Sequence, residues 1–208
     1  MPKKLLVPLK ILAHLACLAP LGWLVYAYQT HRLGFDPPTA VLLFTGLGTL
    51  RLLAITLAIS PLRRLSPKRL GWLIRFRRLL GLYTFFYACV HLLSYVLLYG
   101  RGNFSDILTD LSMRHFIWAG IAAWLLLLPL ALTSTRQAIR WMGGKAWSRL
   151  HRLIYVAAIA GLVHFWWGLR STAGKPMLLT LVIGFLLFIR LWSQPRPDLR
   201  QKAEDDAA

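Results

Sequence analysis

The chain has 208 residues, of which 57% are hydrophobic and only 15% charged. A soluble domain of this length needs more polar surface than that composition supplies, which excludes a water-soluble bundle. The formal charge of +18 could suit nucleic acid, but Lys and Arg collect in short segments between apolar runs, where such residues orient helices in lipid.

In chain order, six apolar runs stand out at 5–28, 39–60, 79–98, 115–133, 150–169 and 176–192. Each is of a length that crosses roughly 30 Å of hydrocarbon as a helix. The first run lacks a small-residue cleavage site and leads straight into further spans, so it reads as a retained helix. Pro and Gly mark the joints, at Asp36-Pro37-Pro38, Ser60-Pro61, Gly100, Gly102, Gly143-Gly144 and Gly174. Connections this short leave no room for a soluble domain. The expected fold is an all-α integral membrane protein, a bundle of six transmembrane helices within 1–195. A short tail, 196–208, ends in Glu204, Asp205 and Asp206 and is expected to be disordered. Nineteen Lys and Arg fall on the side of both termini and the second and fourth joints, against five on the other side. Both termini are therefore expected in the cytoplasm.

Ionisable side chains inside spans are costly and mark functional sites by default. His91 and His164 lie in the third and fifth runs, 13 residues after Arg78 and His151 respectively. Both helices run outward, so both imidazoles sit roughly 18–20 Å above the cytoplasmic edge. Two neutral imidazoles at one depth on separate helices suit the two axial positions of a haem iron. The bland reading, one interhelical hydrogen bond for each His, is weakened by the matched depth. His151 projects from broadly the same face as His164, so the fifth helix could serve two stacked haems. His14 in the first run is the available partner for His151, although the two estimated depths match poorly. His151 next to Arg149 and Arg152 can equally be a headgroup-level polar residue.

Arg51 falls near the middle of the second run, and no acidic residue lies in any run, so a ligand anion such as a haem propionate is its expected partner. Arg75, Arg77 and Arg78 could hold an anion in the same way, or could simply orient the third helix. The aromatic run His164-Phe165-Trp166-Trp167 reads mainly as an interfacial belt. Cys17 and Cys89 read as packing residues rather than a disulfide or a metal site. A CxxCH haem-attachment motif is absent, so any haem is held non-covalently; GxGxxG, P-loop and HExxH patterns are absent too. Electrons must then come from a separate donor. The competing functions are a transporter whose buried His and Arg line a polar pathway, or a plain membrane anchor.

Three stretches carry a family resemblance: RRLLGLYTFFYACVHLLSY (77–95), LTSTRQAIRWMGGKAWSRLHRLIYVAAIAGLVHF (132–165) and HLACLAPLGWLVYA (14–27), with Thr45-Gly46 agreeing as well. The chain resembles the ferric-reductase-like transmembrane family over almost its whole length, and within it the membrane subunits of bacterial methionine sulfoxide reductase systems. The resemblance implies a multi-pass protein of the bacterial inner membrane with one haem b, or two, and His91, His151 and His164 as the haem ligands. It implies electron transfer from the quinol pool or a cytosolic flavin reductase to a periplasmic molybdopterin enzyme that reduces oxidised methionine. The chain itself would be the redox subunit of that oxidoreductase, with no catalytic residue of its own. FMN is associated with the family, but no flavin motif is visible in these residues. Larger members such as the NADPH oxidases carry two histidines on each of two helices, whereas here Arg78 stands where a partner of His91 would be.

Overall fold

Backbone polar groups in hydrocarbon must be satisfied within their own segment, so each apolar run is driven into a helix. The computed structural model describes residues 3–100, 102–168 and 174–192, and the elements there are helical. Helix α1 spans Lys3–Gln29 and α2 Pro37–Leu65. The start of α2 is set by Asp36, whose carboxylate accepts the Thr39 amide at 3.2 Å, with Pro37 and Pro38 filling the first helical positions where no N–H is needed. A short α3 (Pro67–Leu70) and a 3₁₀ turn (Gly71–Leu73) lead into α4, Ile74–Ser94, which ends in a π turn at Tyr95–Tyr99. Then follow α5 (Phe104–Met113), α6 (Phe116–Leu132), α7 (Arg136–Met142), α8 (Gly144–Leu150), α9 (Leu153–Gly168) and α10 (Gly174–Trp192).

Among the described residues, four helical stretches are long and apolar enough to cross a membrane: Leu5–Gln29, Pro37–Leu65, Pro67–Tyr99 and Gly144–Gly168. A fifth arises if α5 and α6, bent by 107° to each other, count as one span. The apolar part of α10, Met177–Arg190, is shorter. The molecule is a multi-span membrane protein. The tail 196–208, together with Arg101 and Arg170, lies outside the described residues.

Two antiparallel pairs, α2 with α4 and α6 with α9, form the most extensive contacts. Helix α10 closes over α2 and α9, where Leu50, Leu53, Ala54 and Leu57 pack on Ala158, Leu162, Ile183 and Leu186. A smaller cluster of Ala88, Leu127 and Ala157 joins α4, α6 and α9, so the two pairs share one seam. Helix α1 is peripheral, with most of its side chains turned outward. It is tied to the bundle by the Tyr87 hydroxyl, which donates to the Cys17 carbonyl at 2.8 Å, and by Trp23 stacked on Phe44 at 5.4 Å. Gly48 makes room for the Tyr87 ring: a Cβ there would lie 2.6 Å from Tyr87 Cδ1. Both cysteines are free thiols, and Cys89 accepts the Trp124 indole N–H at 3.4 Å, in keeping with a packing role.

Sequence periodicity did not announce α5. Its exposed Phe104 and Leu108 lie on one side, while Asp110 faces the π turn. There the Tyr95 hydroxyl donates to Asp110 at 3.2 Å, Asp110 pairs with Arg114 at 3.2 Å, and Arg114 donates to the Tyr99 hydroxyl at 2.9 Å. This chain of contacts latches α5 to the end of α4.

Candidate functional site

The His91 and His164 rings meet, with centroids 5.9 Å apart and planes at 81°. They lie where α2 and α6 begin and α4 and α9 end, toward the end of the bundle poor in Lys and Arg. Each ring is held from behind by the helix paired with its own. His91 Nδ1–H donates to the Leu42 carbonyl at 3.0 Å and shares the proton with the Thr45 hydroxyl oxygen at 3.2 Å. Thr45 spends its own proton on the Val41 and Leu42 carbonyls. His164 Nδ1–H donates to the Phe116 carbonyl at 2.8 Å. A carbonyl can only accept, so the proton of each neutral imidazole resides on Nδ1 and leaves the Nε2 lone pair available.

A glycine makes each of these contacts possible. A Cβ on Gly46 would lie 3.1 Å from His91 Cε1, and one on Gly120 would lie 2.7 Å from His164 Nδ1. Helical side chains tilt toward the N-terminus, so the residue four positions later covers a given carbonyl. Gly46 follows Leu42 by four and Gly120 follows Phe116 by four, so each glycine uncovers the carbonyl that its histidine uses.

This geometry fits a haem. Two metal–imidazole bonds of roughly 2 Å each, with ring centres about 1 Å beyond the nitrogens, place the centroids about 6 Å apart. Among the described residues no group of three or more His, Cys, Asp or Glu side chains converges to hold a bare ion. A metal at this pair must bring its equatorial ligands with it, as a porphyrin does.

His151 and His14 are not brought together. His151 stacks on Trp147 with ring centroids 3.9 Å apart. The Thr133 hydroxyl donates to the Pro129 carbonyl at 2.6 Å, so its oxygen accepts His151 Nε2–H at 3.1 Å. The nitrogen left free at His91 and His164 is thus engaged at His151. His14 is exposed on α1 and bonded through Nδ1 to the Tyr83 hydroxyl at 2.8 Å. It lines an open groove of about 470 Å³ with Lys10, Arg75, Arg78, Tyr83 and Phe86.

The arginines divide similarly. Arg51 is exposed on the outer side of α2 and has no hydrogen-bond or ionic partner among the described residues. Arg78 is exposed in the groove beside His14. Arg77 is half-buried and lies within electrostatic reach of Arg190, Arg63, Tyr155 and His151. Sequence reasoning missed Gly120, the Leu42 and Phe116 carbonyls and the burial of Arg190, which is only 9% exposed. Gly120 carries no signal in the sequence, because its spacing of four from Phe116 acquires meaning only once the Phe116 carbonyl is seen to accept from His164.

Known proteins agree with this architecture. Residues 39–162 match the family described as ferric reductase like transmembrane component. The chain is 44% identical over 191 residues to a protein of Xanthomonas axonopodis pv. citri named protein-methionine-sulfoxide reductase heme-binding subunit MsrQ, covering 89% of this chain and 86% of that one. It is 44% identical over 191 residues, with the same coverage, to the protein of that name in Xanthomonas euvesicatoria pv. vesicatoria. The protein so named in Herminiimonas arsenicoxydans is 41% identical over 189 residues, covering 88% of this chain and 84% of its own. The matched stretch runs from α2 into α9, and the chain belongs to the ferric reductase like transmembrane component family, among the proteins named MsrQ.

Proposed function

We propose that this chain is the haem-binding membrane subunit of a methionine sulfoxide reductase system and carries electrons through one haem b held by His91 and His164. The observation that carries this reading is the meeting of two imidazoles from separate helices, with ring centroids 5.9 Å apart, each with Nδ1–H on a backbone carbonyl and Nε2 without a partner among the described residues. The name its relatives carry, heme-binding subunit of protein-methionine-sulfoxide reductase, points to the same function. Bound between the two rings, the haem supplies a one-electron couple inside the bilayer.

The protein's own contribution is orientation and exclusion. The carbonyls of Leu42 and Phe116 fix tautomer and ring angle, which raises the basicity of Nε2. Apolar side chains of α4, α6 and α9 around Ala88, Leu127 and Ala157 keep water from the seam. In this proposal six helices cross the inner membrane of a bacterium, with both termini in the cytoplasm, as the excess of Lys and Arg on that side favours. Electrons enter from the quinol pool or a cytosolic flavin reductase. They leave to a periplasmic molybdopterin-containing methionine sulfoxide reductase subunit, MsrP-like, which performs the sulfoxide chemistry. The two histidines lie toward the Arg-poor end, so the exit is short, and the segments around Arg32 and between Tyr99 and Arg114 are the surface offered to that partner. The alternative readings, transporter and anchor, account for one interhelical bond at each His, but give no reason for the two rings to meet with neither Nε2 engaged among the described residues.

The experiment is a spectrum of the purified chain with and without dithionite after haem-replete expression. A Soret band that shifts on reduction and is lost in both His91→Ala and His164→Ala is expected. A colourless wild-type preparation, or variants that keep the band, would remove the redox assignment.

A further inference from the structure

Toward the opposite end of the bundle, where Arg and Lys are dense, helix α1 leans on α4 without closing against it. Three ties order the two helices. Leu6 shares a buried cluster with Phe76, His14 Nδ1 bonds the Tyr83 hydroxyl at 2.8 Å, and the Tyr87 hydroxyl donates to the Cys17 carbonyl at 2.8 Å. The partners advance together along both segments, so α1 and α4 run parallel. Between them lies the open groove of about 470 Å³ that His14 and Tyr83 line.

This groove is sorted along its length. The His14–Tyr83 bond sets those two residues at one level. At the helical rise per residue, Lys10 stands about 6 Å before His14 on one wall and Arg78 about 7.5 Å before Tyr83 on the other. Two cations thus line the recess from opposite walls at nearly one height, with Arg75 a turn further toward the Lys- and Arg-rich end. In the other direction the α4 wall continues through Leu82 to Phe86, inside a stretch long enough to cross a membrane. Lys10, Arg75 and Arg78 are exposed and have no ionic partner among the described residues. The acidic residues among those described, Asp36, Asp106 and Asp110, belong to the other end of the bundle. Charges that only orient spans need not converge, whereas these three, from two helices, meet in one recess with an apolar far half.

We propose that the groove seats one acidic phospholipid, with its phosphate between Lys10 and Arg78, Arg75 at the mouth, and an acyl chain along Leu82 and Phe86. The guanidinium fork of Arg78 matches phosphate oxygens, and basic recesses between transmembrane helices suit anionic headgroups. The long stems of Lys10 and Arg78 lie along the apolar wall and carry their charges to the headgroup level. A zwitterionic lipid has the same phosphate but brings a cation of its own in among three others, so headgroup charge decides which lipid stays. The lipid fills the gap between α4 and a helix otherwise held by two hydrogen bonds, a small apolar cluster and the Trp23–Phe44 stack. None of this depends on the haem assignment, which stands or falls separately.

The test uses the full chain, purified in neutral detergent, depleted of lipid and selected as the folded fraction by gel filtration. Phosphatidylglycerol or phosphatidylcholine is added back, and retained lipid is counted by native mass spectrometry. One phosphatidylglycerol per chain is expected to be retained over phosphatidylcholine. Arg78→Gln and Lys10→Gln, on opposite walls, are each expected to weaken retention roughly fivefold, and either one suffices if the other fails to fold. Arg140→Gln removes an exposed charge on α7, outside the groove, and is expected to change nothing. Leu82→Trp leaves all three cations in place but fills the apolar half, and is expected to release the lipid. Equal retention of the two lipids, or equal losses in Arg140→Gln and Arg78→Gln, would reduce the cations to orienting charges and overturn the site. Displacement of phosphatidylglycerol by excess inorganic phosphate, or full retention in Leu82→Trp, would overturn the lipid assignment in favour of a soluble phosphate compound. A wild type that retains neither lipid until residues 196–208 are removed would put the tail carboxylates on these cations instead. Loss of haem from Arg78→Gln with lipid retention unchanged would give the groove to a carboxylate of the prosthetic group, and the lipid assignment would fall there too.

Discussion

Replacing Gly120 by Ala tests the proposed haem site without touching either histidine. The new Cβ would lie 2.7 Å from His164 Nδ1 and 2.8 Å from Cε1, where ordinary contact begins at 3.4 Å. The ring must therefore retreat by about 0.7 Å, and because it is held to the Phe116 carbonyl at 2.8 Å, that retreat stretches the bond to about 3.5 Å, beyond hydrogen-bonding range. Losing the bond costs about 0.5–1.5 kcal/mol and the overpacking about 1–3 kcal/mol, offset by up to about 1 kcal/mol of helix propensity. Misplacing a bond that orients a metal ligand typically weakens metal binding 10- to 100-fold, and that range is expected for haem. Gly46→Ala is milder, since its Cβ would stand 3.1 Å from His91 Cε1 and His91 has both Leu42 and Thr45 as acceptors; less than about tenfold is expected. Gly161→Ala, 3.4 Å from Leu50 Cδ2, is the control and should bind haem normally. Haem titration of the apoprotein, read at the Soret band beside Tm, gives the order Gly120, Gly46, Gly161. A folded Gly120→Ala protein with wild-type affinity and spectrum would mean that His164 is not held by α6 when haem is bound, and the axial assignment would fail with it.

Three further outcomes are expected. His151→Ala should keep one haem per chain, because its Nε2 already donates to Thr133; pyridine haemochrome analysis showing half the haem gone would restore a second site. Tyr87→Phe removes the hydroxyl that ties α4 to the Cys17 carbonyl and should cost about 1 kcal/mol, read as a lower Tm and faster proteolysis in α1; an unchanged Tm would make that tie dispensable. Asp110→Asn cuts a partly exposed ion pair worth less than about 1 kcal/mol. Faster amide exchange confined to 104–113 is expected, and a large fall in Tm would show that the α5 latch carries more of the fold than its contacts suggest.

The parts of this site that were legible in the sequence follow from arithmetic along one helix. Rise per residue put His91 and His164 at one depth, and the structure sets their rings side by side. The same arithmetic gave His14 and His151 poorly matched depths, and each has a different neighbour. What was hidden depends on which helices pair. Gly120 matters only because α6 lies against α9, and no periodicity within α6 announces that. Arg190 was counted as an orienting charge because distance from the end of a run does not tell whether a side chain points to water or to Tyr155. Arg51 went the other way: its central position suggested an interior partner, yet it lies on the exposed side of α2. Helix α5 escaped notice because Asp106 and Asp110 break the apolar run that signals a span.

The two histidines are held by one device used twice. His91 lies 49 residues after its carbonyl acceptor and His164 lies 48 after its own, and in each case a glycine stands four residues past the acceptor. Each antiparallel pair therefore orients its own imidazole with contacts internal to that pair. The distance between the rings is a different matter, because it is set by how the α2–α4 pair sits against the α6–α9 pair. That seam is lined by Ala88, Leu127 and Ala157, with Phe85 beside Trp124 and the Trp124 indole bonded to Cys89. Small residues let the pairs approach, and the indole between them fixes where they stop. The orientation and the spacing of the two imidazoles are thus controlled by separate parts of the fold, so a change at Gly46 or Gly120 is expected to disturb its own histidine and leave the partner imidazole in place.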